Sequence, residues 1–536
     1  MRVNMMTWPV AVLILTTVLT LPAPPAVAAQ VAVNSDFNGD GYHDLAIGTP
    51  GVPGPNGTTG AVTILYGGPG GIDAHTVRRP EAGCKSAWGA PCRSWGETVA
   101  AGDITGDNAA ELVFIGGYPV LQIDSWNQDG VRTTTTKGYG GPGLQAWGLR
   151  VGQFDDQPGA DIVGIDDSSG FVLDGVDYPT SHLTARFNTD EWIRNYFHDG
   201  QVRVRSIAVG DARNTGGQQM AMIVSRYMSD GQEESPYLWL LNDLKAQPTT
   251  RDDSLWAWGA LCTPQNRHVL GCPKKDSQLA MGDVDGDGHL DVVMATPSLR
   301  GLQVWYGSAS GFSQFPGFSA HDIGWFDADS GVGSDLAVGD VNGDGAAEIV
   351  LGAPDAAASG QTGAGGVAII PGSTASPRGP VLTAAQIITQ DGIASPNTPT
   401  PTPTATPTVS APPSPTPTAV PTLTGDPEPQ TTFDPKPTAE PQSLTAARAA
   451  AVSADPISEQ SVAGDRFGQS VRVLDVTRDG KAEVIVGAPG KNGGAGMLVV
   501  LRGSSSGVSE SGTQVFHPGQ FGIGSPQTAF GKILHR

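Results

Sequence analysis

The stretch Asp283-Val-Asp-Gly-Asp-Gly-His-Leu-Asp291, followed by Val-Val-Met-Ala-Thr-Pro297, decides the fold of this chain. Its acidic residues stand at positions 1, 3, 5 and 9 of a nine-residue segment, and the glycine at position 6 permits a sharp turn. The apolar run that follows has the length and composition of a buried β-strand. The stretch therefore predicts a tight acidic turn that leads into a strand.

The same pattern returns along the chain. Five copies keep most of the acidic positions, and two worn copies bring the total to seven. We number these segments loops 1 to 7: 36–44, 103–111, 153–161, 211–219, 283–291, 340–348 and 475–483. An alternating strand precedes each loop, an apolar strand follows it, and a Gly-rich turn leads to a third and a weaker fourth strand. Repeats of four short antiparallel strands predict an all-β, seven-bladed β-propeller of four-stranded blades.

The composition agrees with an all-β chain and limits its partners. Among 536 residues, 73 are Gly and 43 are Pro, which favours short strands and many turns over helices. The formal net charge is −22, so nucleic-acid binding is excluded for lack of a basic surface. An acidic surface also disfavours anionic membranes and makes cations the natural partners. We expect a monomer with no membrane insertion.

Residues 1–28 are predicted to be a signal peptide. Arg2 precedes an apolar run from Val10 to Leu21, and the small-x-small pattern of Ala26-Val-Ala28 follows it. The mature chain is therefore expected to be secreted.

Four cysteines fit that compartment. They form two local pairs, Cys84 with Cys92 and Cys262 with Cys272, and we predict a disulfide in each pair. A four-cysteine zinc site would need tighter spacings.

The last interval between loops is 135 residues, whereas the others are 50 to 72. Residues 395–442 account for the excess, because this segment holds 15 Pro and 13 Thr and cannot pack a core. We predict blades 1–6 in residues 29–394, a disordered linker in residues 395–442, and blade 7 with a ring-closing strand in residues 443–536. Phe530-Gly531, with no acidic loop after it, suggests the closure. Alternatively, Val31-Ala-Val33 supplies that strand and the C-terminus is frayed.

These residues resemble the FG-GAP repeats of integrin α-subunits and their bacterial relatives. Phe467-Gly468 precedes loop 7 and Gly487-Ala-Pro489 follows it, while Trp95-Gly96 and Gly352-Ala-Pro354 keep the two halves elsewhere. The resemblance covers the mature chain except the Pro/Thr-rich linker. It implies a propeller, which in the integrin-like family is an extracellular, calcium-loaded ligand-binding head. Related bacterial propellers bind sugars or proteins, or accompany hydrolases and lyases.

The loop spacing itself points to calcium. It supplies side-chain oxygens at positions 1, 3, 5 and 9 and a backbone carbonyl at position 7, and oxygen-only ligation by carboxylates selects calcium over zinc or copper. An EF-hand is excluded, because position 12 is apolar in the five well-kept loops: Ile47, Phe114, Met294, Leu351 and Val486.

The five well-kept loops hold 16 carboxylates, whose repulsion a cation would relieve. We predict about five structural calcium ions. Solvated acidic turns without metal, and calcium that bridges to a ligand, remain alternatives. The predicted ligands are Asp36, Asn38, Asp40, Tyr42, Asp44, Asp103, Thr105, Asp107, Ala109, Glu111, Asp283, Asp285, Asp287, His289, Asp291, Asp340, Asn342, Asp344, Ala346, Glu348, Asp475, Thr477, Asp479, Lys481 and Glu483.

The two worn loops are predicted to be poor metal sites. Loop 4 has Arg213, Thr215 and Gln219 in place of ligands, so we expect no ion there. Loop 3 keeps Asp155 and Asp161, which leaves weak binding open.

Signals for catalysis are poor. Gly503-Ser-Ser-Ser-Gly507 matches a G-x-S-x-G pattern, but it follows a strand into a Ser/Gly turn with no helix after it. We therefore predict no enzyme, but an extracellular binding or adhesion module for a protein or glycan ligand. The alternative is a carbohydrate-active enzyme (a polysaccharide hydrolase or lyase) or a lectin on the same scaffold.

The topology also predicts which face binds. The calcium loops join first and second strands, so they share one side of the disc. The two cysteine-paired segments, the first with Trp88, and the linker leave from the opposite side. Since rigid loops with an aromatic side chain suit recognition, we expect partners to dock on that opposite face, with Trp88 in contact. Alternatively, the disulfides protect exposed loops from proteolysis.

Overall fold

The structure is a computed structural model, and it describes the greater part of the predicted propeller. The described residues are 35–79, 94–117, 120–126, 132–138, 148–154, 159–165, 170–173, 183–187, 201–227, 236–241, 255–258, 273–312, 316–320, 323–394, 459–523 and 527–535. The predicted signal peptide, both cysteine pairs, Trp88, Asp155 and the Pro/Thr-rich linker lie outside these residues.

Short strands make up nearly all regular structure in the described residues. They are β1 (Leu45–Gly48), β2 (Val62–Tyr66), β3 (Ala74–Arg78), β4 (Val99–Gly102), β5 (Glu111–Gly117), β6 (Val120–Trp126), β7 (Arg132–Gly138), β8 (Gly148–Gly152), β9 (Asp161–Ile165), β10 (Gly170–Leu173), β11 (Leu183–Phe187), β12 (Gln201–Gly210), β13 (Gln219–Tyr227), β14 (Tyr237–Leu241), β15 (Leu255–Trp258), β16 (Gln278–Gly282), β17 (Asp291–Thr296), β18 (Gly301–Trp305), β19 (Phe318–Ala320), β20 (Asp335–Gly339), β21 (Glu348–Ala353), β22 (Gly366–Ile370), β23 (Gln386–Thr389), β24 (Gly392–Ala394), β25 (Ser470–Leu474), β26 (Glu483–Gly487), β27 (Leu498–Ser504), β28 (Gly507–Phe516) and β29 (Ile533–Leu534).

These strands form antiparallel sheets of neighbouring chain segments, which we number in chain order. Sheet 1 is β29-β1-β2-β3, sheet 2 is β4 to β7, sheet 3 is β8 to β11, sheet 4 is β12 to β15, sheet 5 is β16 to β19, sheet 6 is β20 to β24 and sheet 7 is β25 to β28. Six sheets have four strands. Sheet 6 has five, because the chain turns back once more in β24 before the linker, which corrects the prediction of uniformly four-stranded blades.

The core lies between the sheets, and strand alternation creates it. In β17, Val292 and Met294 pack toward sheet 4, whereas Val293 and Ala295 pack toward sheet 6. Both faces of such a strand are buried, so it is apolar throughout its length. Buried apolar clusters lie between each pair of consecutive sheets from 1 to 7, and one further cluster joins sheet 7 to sheet 1.

The Phe/Trp-Gly pairs dock on the Gly-Ala-Pro segments of the preceding sheet. The carbonyl of Gly468 lies so close to the Cα atom of Gly352 that a Cβ atom there would clash, and Gly468 itself has φ +87°. Only glycine tolerates both demands. Gly531 meets Gly487 in the same way, with the Phe530 ring fully buried. Phe530-Gly531 therefore packs in the same way as Phe467-Gly468.

The first sheet takes strands from both ends of the chain. β29 pairs with β1, with Leu534 opposite Ile47 and Ile533 opposite Gly48. The backbone N–H of Ala46 donates to Nδ1 of His535, which is 1% exposed. The C-terminal segment therefore supplies the strand that completes sheet 1.

Both ends of the linker region meet at one place between sheets 6 and 7. The carboxylate of Asp391 accepts from the N–H of Ser461 at 3.1 Å. The side chain of Gln390 and the N–H of Val462 both donate to Asp465, at 3.1 and 2.9 Å. The chain therefore leaves and re-enters the fold at neighbouring points, as an insertion does. The predicted all-β propeller with mostly four-stranded antiparallel blades is confirmed.

Candidate functional site

Loops 2 to 7 join the first and second strands of their sheets, and loop 1 leads into β1. Backbone hydrogen bonds link neighbouring loops, because the N–H at position 8 donates to the position-1 carbonyl of the preceding loop. The observed pairs are Ala110 to Asp36, Ala160 to Asp103, Gln218 to Gln153, Ala347 to Asp283 and Ala482 to Asp340, at 2.7 to 2.8 Å. The loops therefore share one side of the ring, which we call the loop face.

The carboxylate at position 1 builds the turn. In loop 5, Asp283 accepts from the N–H groups of Asp287 at 3.1 Å and Gly288 at 2.8 Å. The same bond from position 6 occurs in the other well-kept loops, at 2.6 to 3.0 Å: Gly41 to Asp36, Asn108 to Asp103, Gly345 to Asp340 and Gly480 to Asp475. This side chain wraps the loop around itself and brings positions 1, 3 and 5 together.

The residue at position 9 is buried and fixes the base of the loop. Asp291 accepts from the N–H groups of Val284 and Gly307, both at 2.9 Å. Burial raises the pKa of Asp291 to about 8. Burial likewise raises the pKa of the other position-9 acids: Glu348 to about 8, Glu111 and Glu483 to about 7, and Asp44 well above its ordinary value.

Loop 5 has the most complete donor set. Carboxylate oxygens of Asp283, Asp285 and Asp287 lie within 4.8 Å of one another. Burial, together with the neighbouring carboxylates, raises the pKa of Asp285, and burial raises that of Asp283. Three converging hard oxygens that resist ionisation without a counter-charge suit a divalent cation. The donor chemistry of loop 5 fits calcium.

Loops 1, 2 and 6 have three acids each, with a neutral side chain at position 3. Position 3 is Asn38, Thr105 or Asn342. The Thr105 hydroxyl donates to Oε1 of Glu111 at 3.3 Å, and the Asn342 amide donates to Oε1 of Glu348 at 2.8 Å. Positions 3 and 9 are therefore adjacent in loops 2 and 6, as joint ligation requires.

The predicted position-7 residues are held in the same way in all five loops. Their N–H groups donate to the position-5 carboxylate at 2.9 to 3.0 Å: Tyr42 to Asp40, Ala109 to Asp107, His289 to Asp287, Ala346 to Asp344 and Lys481 to Asp479.

Loop 7 differs, because an arginine already contacts its carboxylates. Nη2 of Arg502, from β27, lies 2.9 Å from Oδ2 of Asp479, and its Nε lies 3.4 Å from Oε1 of Glu483. Glu483 is 1% exposed. The Asp475, Thr477, Asp479 and Glu483 set was predicted as a fifth calcium site. Its Thr477 hydroxyl donates to Oε1 of Glu483 at 3.3 Å, as in loop 2, and it differs from the other sets in its arginine partner.

The two worn loops keep part of the hydrogen bonding of the well-kept loops. In loop 4, Asp211 accepts from Gly216 at 2.6 Å, and the Gln219 amide oxygen accepts from Arg213 at 3.1 Å. In loop 3, Asp161 accepts from Phe154 at 3.0 Å. In loop 4 a neutral amide thus takes the place of the position-9 acid, and the turn is kept.

A cavity of about 240 Å³ opens at the start of the innermost strands, on the side opposite the loop face. Residues from sheets 1, 2, 3, 6 and 7 line it, and we call it the axial cavity. Its charged and amide groups are those of Glu97, Arg150, Asp335, Gln469, Arg472 and Lys532. The cavity thus has three basic and two acidic side chains, an excess of positive charge in a chain whose net charge is −22.

Sequence reasoning missed both Arg502 and the axial cavity. Arg502 lies 19 residues after the end of loop 7, and the cavity is assembled from five sheets. The available signal for Arg502 was a basic residue directly after the apolar run of a third strand. No local sequence pattern indicated the axial cavity.

The Gly503–Gly507 segment forms the turn of the β27–β28 hairpin, where Oγ of Ser504 donates to the carbonyl of Gly507 at 2.7 Å. It joins two strands, unlike the strand-to-helix turn of a nucleophile elbow. Within the part of the chain that the structure describes, no helix has the length and apolar character needed to cross a membrane.

Comparison with known proteins identifies the repeats. The FG-GAP repeat profile matches residues 28–65 and 467–501, and the FG-GAP-like repeat profile matches residues 283–351. These segments contain loops 1, 7, 5 and 6. None of the curated proteins matches the chain.

One similar solved structure is that of an Agrocybe aegerita lectin, described as specifically recognising non-reducing terminal N-acetylglucosamine. It is 13% identical with a TM-score of 0.41, over 92% of this chain and 94% of the lectin chain. A likeness of this degree carries no argument about what this chain binds.

Proposed function

We propose that this FG-GAP repeat protein is a secreted, calcium-binding, seven-bladed propeller that serves as an extracellular binding module for a glycan or protein ligand. The observation that carries the proposal is the division of its polar groups. Converging carboxylates lie on the loop face, and a polar cavity opens on the opposite side. The two faces thus offer one surface for cations and another for a ligand.

Calcium binding is proposed for loops 1, 2, 5 and 6. Their carboxylates at positions 1, 5 and 9, with the position-3 side chain and the position-7 carbonyl, would hold the ion. When bound, calcium supplies the positive charge that lets closely spaced, partly buried carboxylates ionise together. The position-1 side chains organise the turn, and the position-9 side chains hold its base to the second and third strands.

Seven blades in one ring are supported by seven sheets, seven apolar clusters and the pairing of β29 with β1. Secretion is supported by the sequence of residues 1–28. Expression of the full chain should yield an exported protein that begins near Ala29. Recovery of the uncut chain inside the cell contradicts secretion.

A ligand on the face away from the loops is supported by the axial cavity. Hydroxyl, amide, carboxylate and guanidinium groups line it, and this mixture hydrogen-bonds sugar hydroxyls while its cations suit an acidic substituent. Its volume is below the roughly 300–1,000 Å³ of typical small-molecule sites, so it has room for one sugar-sized group of a longer ligand. A glycan with an acidic group is the favoured ligand.

A binding screen tests this proposal. Neutral and acidic glycans and extracellular proteins are presented with and without calcium, and hits are repeated with two matched variants. Lys532→Ala removes an exposed cation at the axial cavity, whereas Arg378→Ala removes an exposed cation beside loop 5 on the loop face. We expect Lys532→Ala to weaken binding about tenfold or more and Arg378→Ala to leave it unchanged.

The reverse result places the ligand on the loop face and contradicts this assignment. Trp88→Ala is expected to weaken binding in the same assay. We propose no catalytic role. Polysaccharide turnover that is lost on substitution of a single carboxylate would favour the carbohydrate-active enzyme, and saturable sugar binding without turnover would favour a lectin.

A further inference from the structure

Arg502 lies where a bound cation would be needed in loop 7. Its guanidinium is within ion-pair distance of Asp479 at position 5 and of Glu483 at position 9, which are two of the three acidic side chains of the loop. Arg502 is itself 25% exposed, so solvent screens the pair only in part. The arginine spans the two sides of the loop that a metal ion would otherwise connect.

The other well-kept loops have no cation at this place. The equivalent residue in each loop is found from the strand pairing. Position 10, the first residue after the loop, pairs with a residue of the third strand, and the equivalent residue is the next one along that strand. In loop 7, Val484 pairs with Leu501, and Arg502 follows. The equivalents in loops 1, 2, 5 and 6 are Tyr66, Ser125, Tyr306 and Pro371. A neutral residue therefore occupies this position in the strand next to each loop for which calcium is proposed.

Two further basic residues of loop 7 lie toward its neighbours. The guanidinium of Arg478 reaches Gly41 of loop 1, and the side chain of Lys481 lies against Gly343 of loop 6. Arg502 is therefore the basic side chain for which the structure shows ion pairs with the carboxylates of loop 7.

We propose that the guanidinium of Arg502 takes the place of calcium in loop 7, so that this loop binds no divalent ion while loops 1, 2, 5 and 6 do. The inference rests on the proposed calcium binding of those four loops. A tethered guanidinium with five N–H donors satisfies carboxylates without an ion from solution. Loop 7 is then fixed at any calcium concentration, and sheet 7 does not depend on metal.

Counting bound calcium by equilibrium dialysis tests the proposal. The wild type is expected to bind four ions per chain, and Arg502→Gln is expected to bind five because it leaves two of the three carboxylates of loop 7 without their cation. Arg502→Gln that binds no more ions than the wild type overturns the proposal. Terbium luminescence, which reports the metal directly, should show the same gain of one site.

Two variants at the same position of different loops provide the matched control. Asp344→Asn changes position 5 of loop 6, and Asp479→Asn changes position 5 of loop 7. The count should fall from four to three in Asp344→Asn and remain four in Asp479→Asn. These variants keep the wild-type arginine, so the comparison holds even if Arg502→Gln fails to fold.

The outcomes separate the two proposals. If both variants lose one ion, loop 7 binds calcium and this inference is wrong while calcium binding stands. If Asp344→Asn loses none, calcium binding by loop 6 is wrong. A gain of one ion in Arg502→Gln supports the role of the arginine whatever the wild-type count.

Discussion

Loops 5 and 7 lie on the same face, and the same hydrogen bonds hold their backbones. The N–H at position 6 donates to the position-1 carboxylate at 2.8 Å in loop 5 and at 2.9 Å in loop 7. The N–H at position 2 donates to the position-9 carboxylate at 2.9 and 3.0 Å. Yet three carboxylates converge in loop 5, whereas an arginine contacts two of the three acids in loop 7.

This difference separates what the motif does for the fold from what it does for a cation. Loop 4 makes the same turn with Gln219 in place of the final acid. The aspartate at position 1 and an oxygen at position 9 are therefore sufficient for the turn. Cation binding depends on the remaining charges around the loop, which include side chains from the third strand.

Removal of calcium should have the largest effect, because it removes the stabilisation that the account assigns to loop 5 and not to loop 7. At an extracellular-type Kd of about 0.1 mM and about 1 mM calcium, each site adds about 1.4 kcal/mol, so four sites add about 6 kcal/mol to the free energy of unfolding. With an unfolding entropy of about 2.1 cal/mol/K per residue, excess chelator should lower Tm by about 6 °C. Calorimetry with calcium and with chelator measures the shift. An unchanged Tm contradicts the calcium proposal.

Protonation of His535 should destabilise the ring closure even without calcium. Burial, together with Arg472, lowers the pKa of His535 to about 3, with His43 acting in the same direction. An unfolded histidine titrates near 6.5, so the unfolded state binds the extra proton between these values, and the contribution of His535 to stability falls as pH falls below 6.5. At pH 5 the loss is about 2 kcal/mol.

Chemical unfolding of the wild type and of His535→Gln in chelator at pH 7 and pH 5 isolates this loss as the difference between the two proteins. The comparison is needed because the position-9 acids, whose pKa burial raises, act in the opposite direction in both proteins. Between pH 7 and pH 5 the stability of the wild type should fall by about 2 kcal/mol relative to that of His535→Gln, and an equal pH dependence of the two proteins contradicts this role of His535.

Single-loop variants sharpen the comparison further. Asp287→Asn and Asp479→Asn make the same change at position 5 of loops 5 and 7. In calcium, Asp287→Asn should lose up to about 1.4 kcal/mol and Asp479→Asn about 0.5 kcal/mol, the value of a partly exposed ion pair. In chelator the deficit of Asp287→Asn should vanish and that of Asp479→Asn should persist. Equal calcium dependence of the two variants means that the loops do not differ.

A transplanted arginine gives the smallest expected effect. Tyr306 occupies in loop 5 the place of Arg502 in loop 7, so Tyr306→Arg should convert loop 5 to the loop 7 type. We expect one fewer calcium ion and a stability in calcium within about 1 kcal/mol of the wild type, because an ion pair replaces the metal. Tyr306→Phe is the control and should keep the ion. Retention of the ion in Tyr306→Arg shows that the arginine alone does not exclude it.

The strands and their order followed from sequence because both faces of a propeller strand are buried. Val292–Ala295 and Val484–Val486 are apolar throughout, and both form second strands. The role of Phe530-Gly531 could also be predicted from the local sequence. Its buried ring and its glycine, which touches Gly487, make the contacts that the motif makes elsewhere.

The charge state of each loop did not follow from sequence. Arg502 reaches loop 7 through the β26–β27 register, which pairs Val484 with Leu501, and no spacing rule within the loop contains it. The axial cavity joins residues as distant as Glu97 and Lys532. Both features need the closed arrangement of sheets. The extra strand β24 depends likewise on a turn at Asp391 whose carboxylate is held by Ser461, beyond the linker.

The number of calcium ions bound per chain tests the central claim most directly. The wild type, first freed of metal by a chelator, is dialysed against calcium up to about 1 mM, an extracellular level, and the bound ions are counted. The account predicts four ions, from loops 1, 2, 5 and 6. No bound ion contradicts calcium binding by the acidic loops, and five ions contradict the replacement of calcium by Arg502 in loop 7.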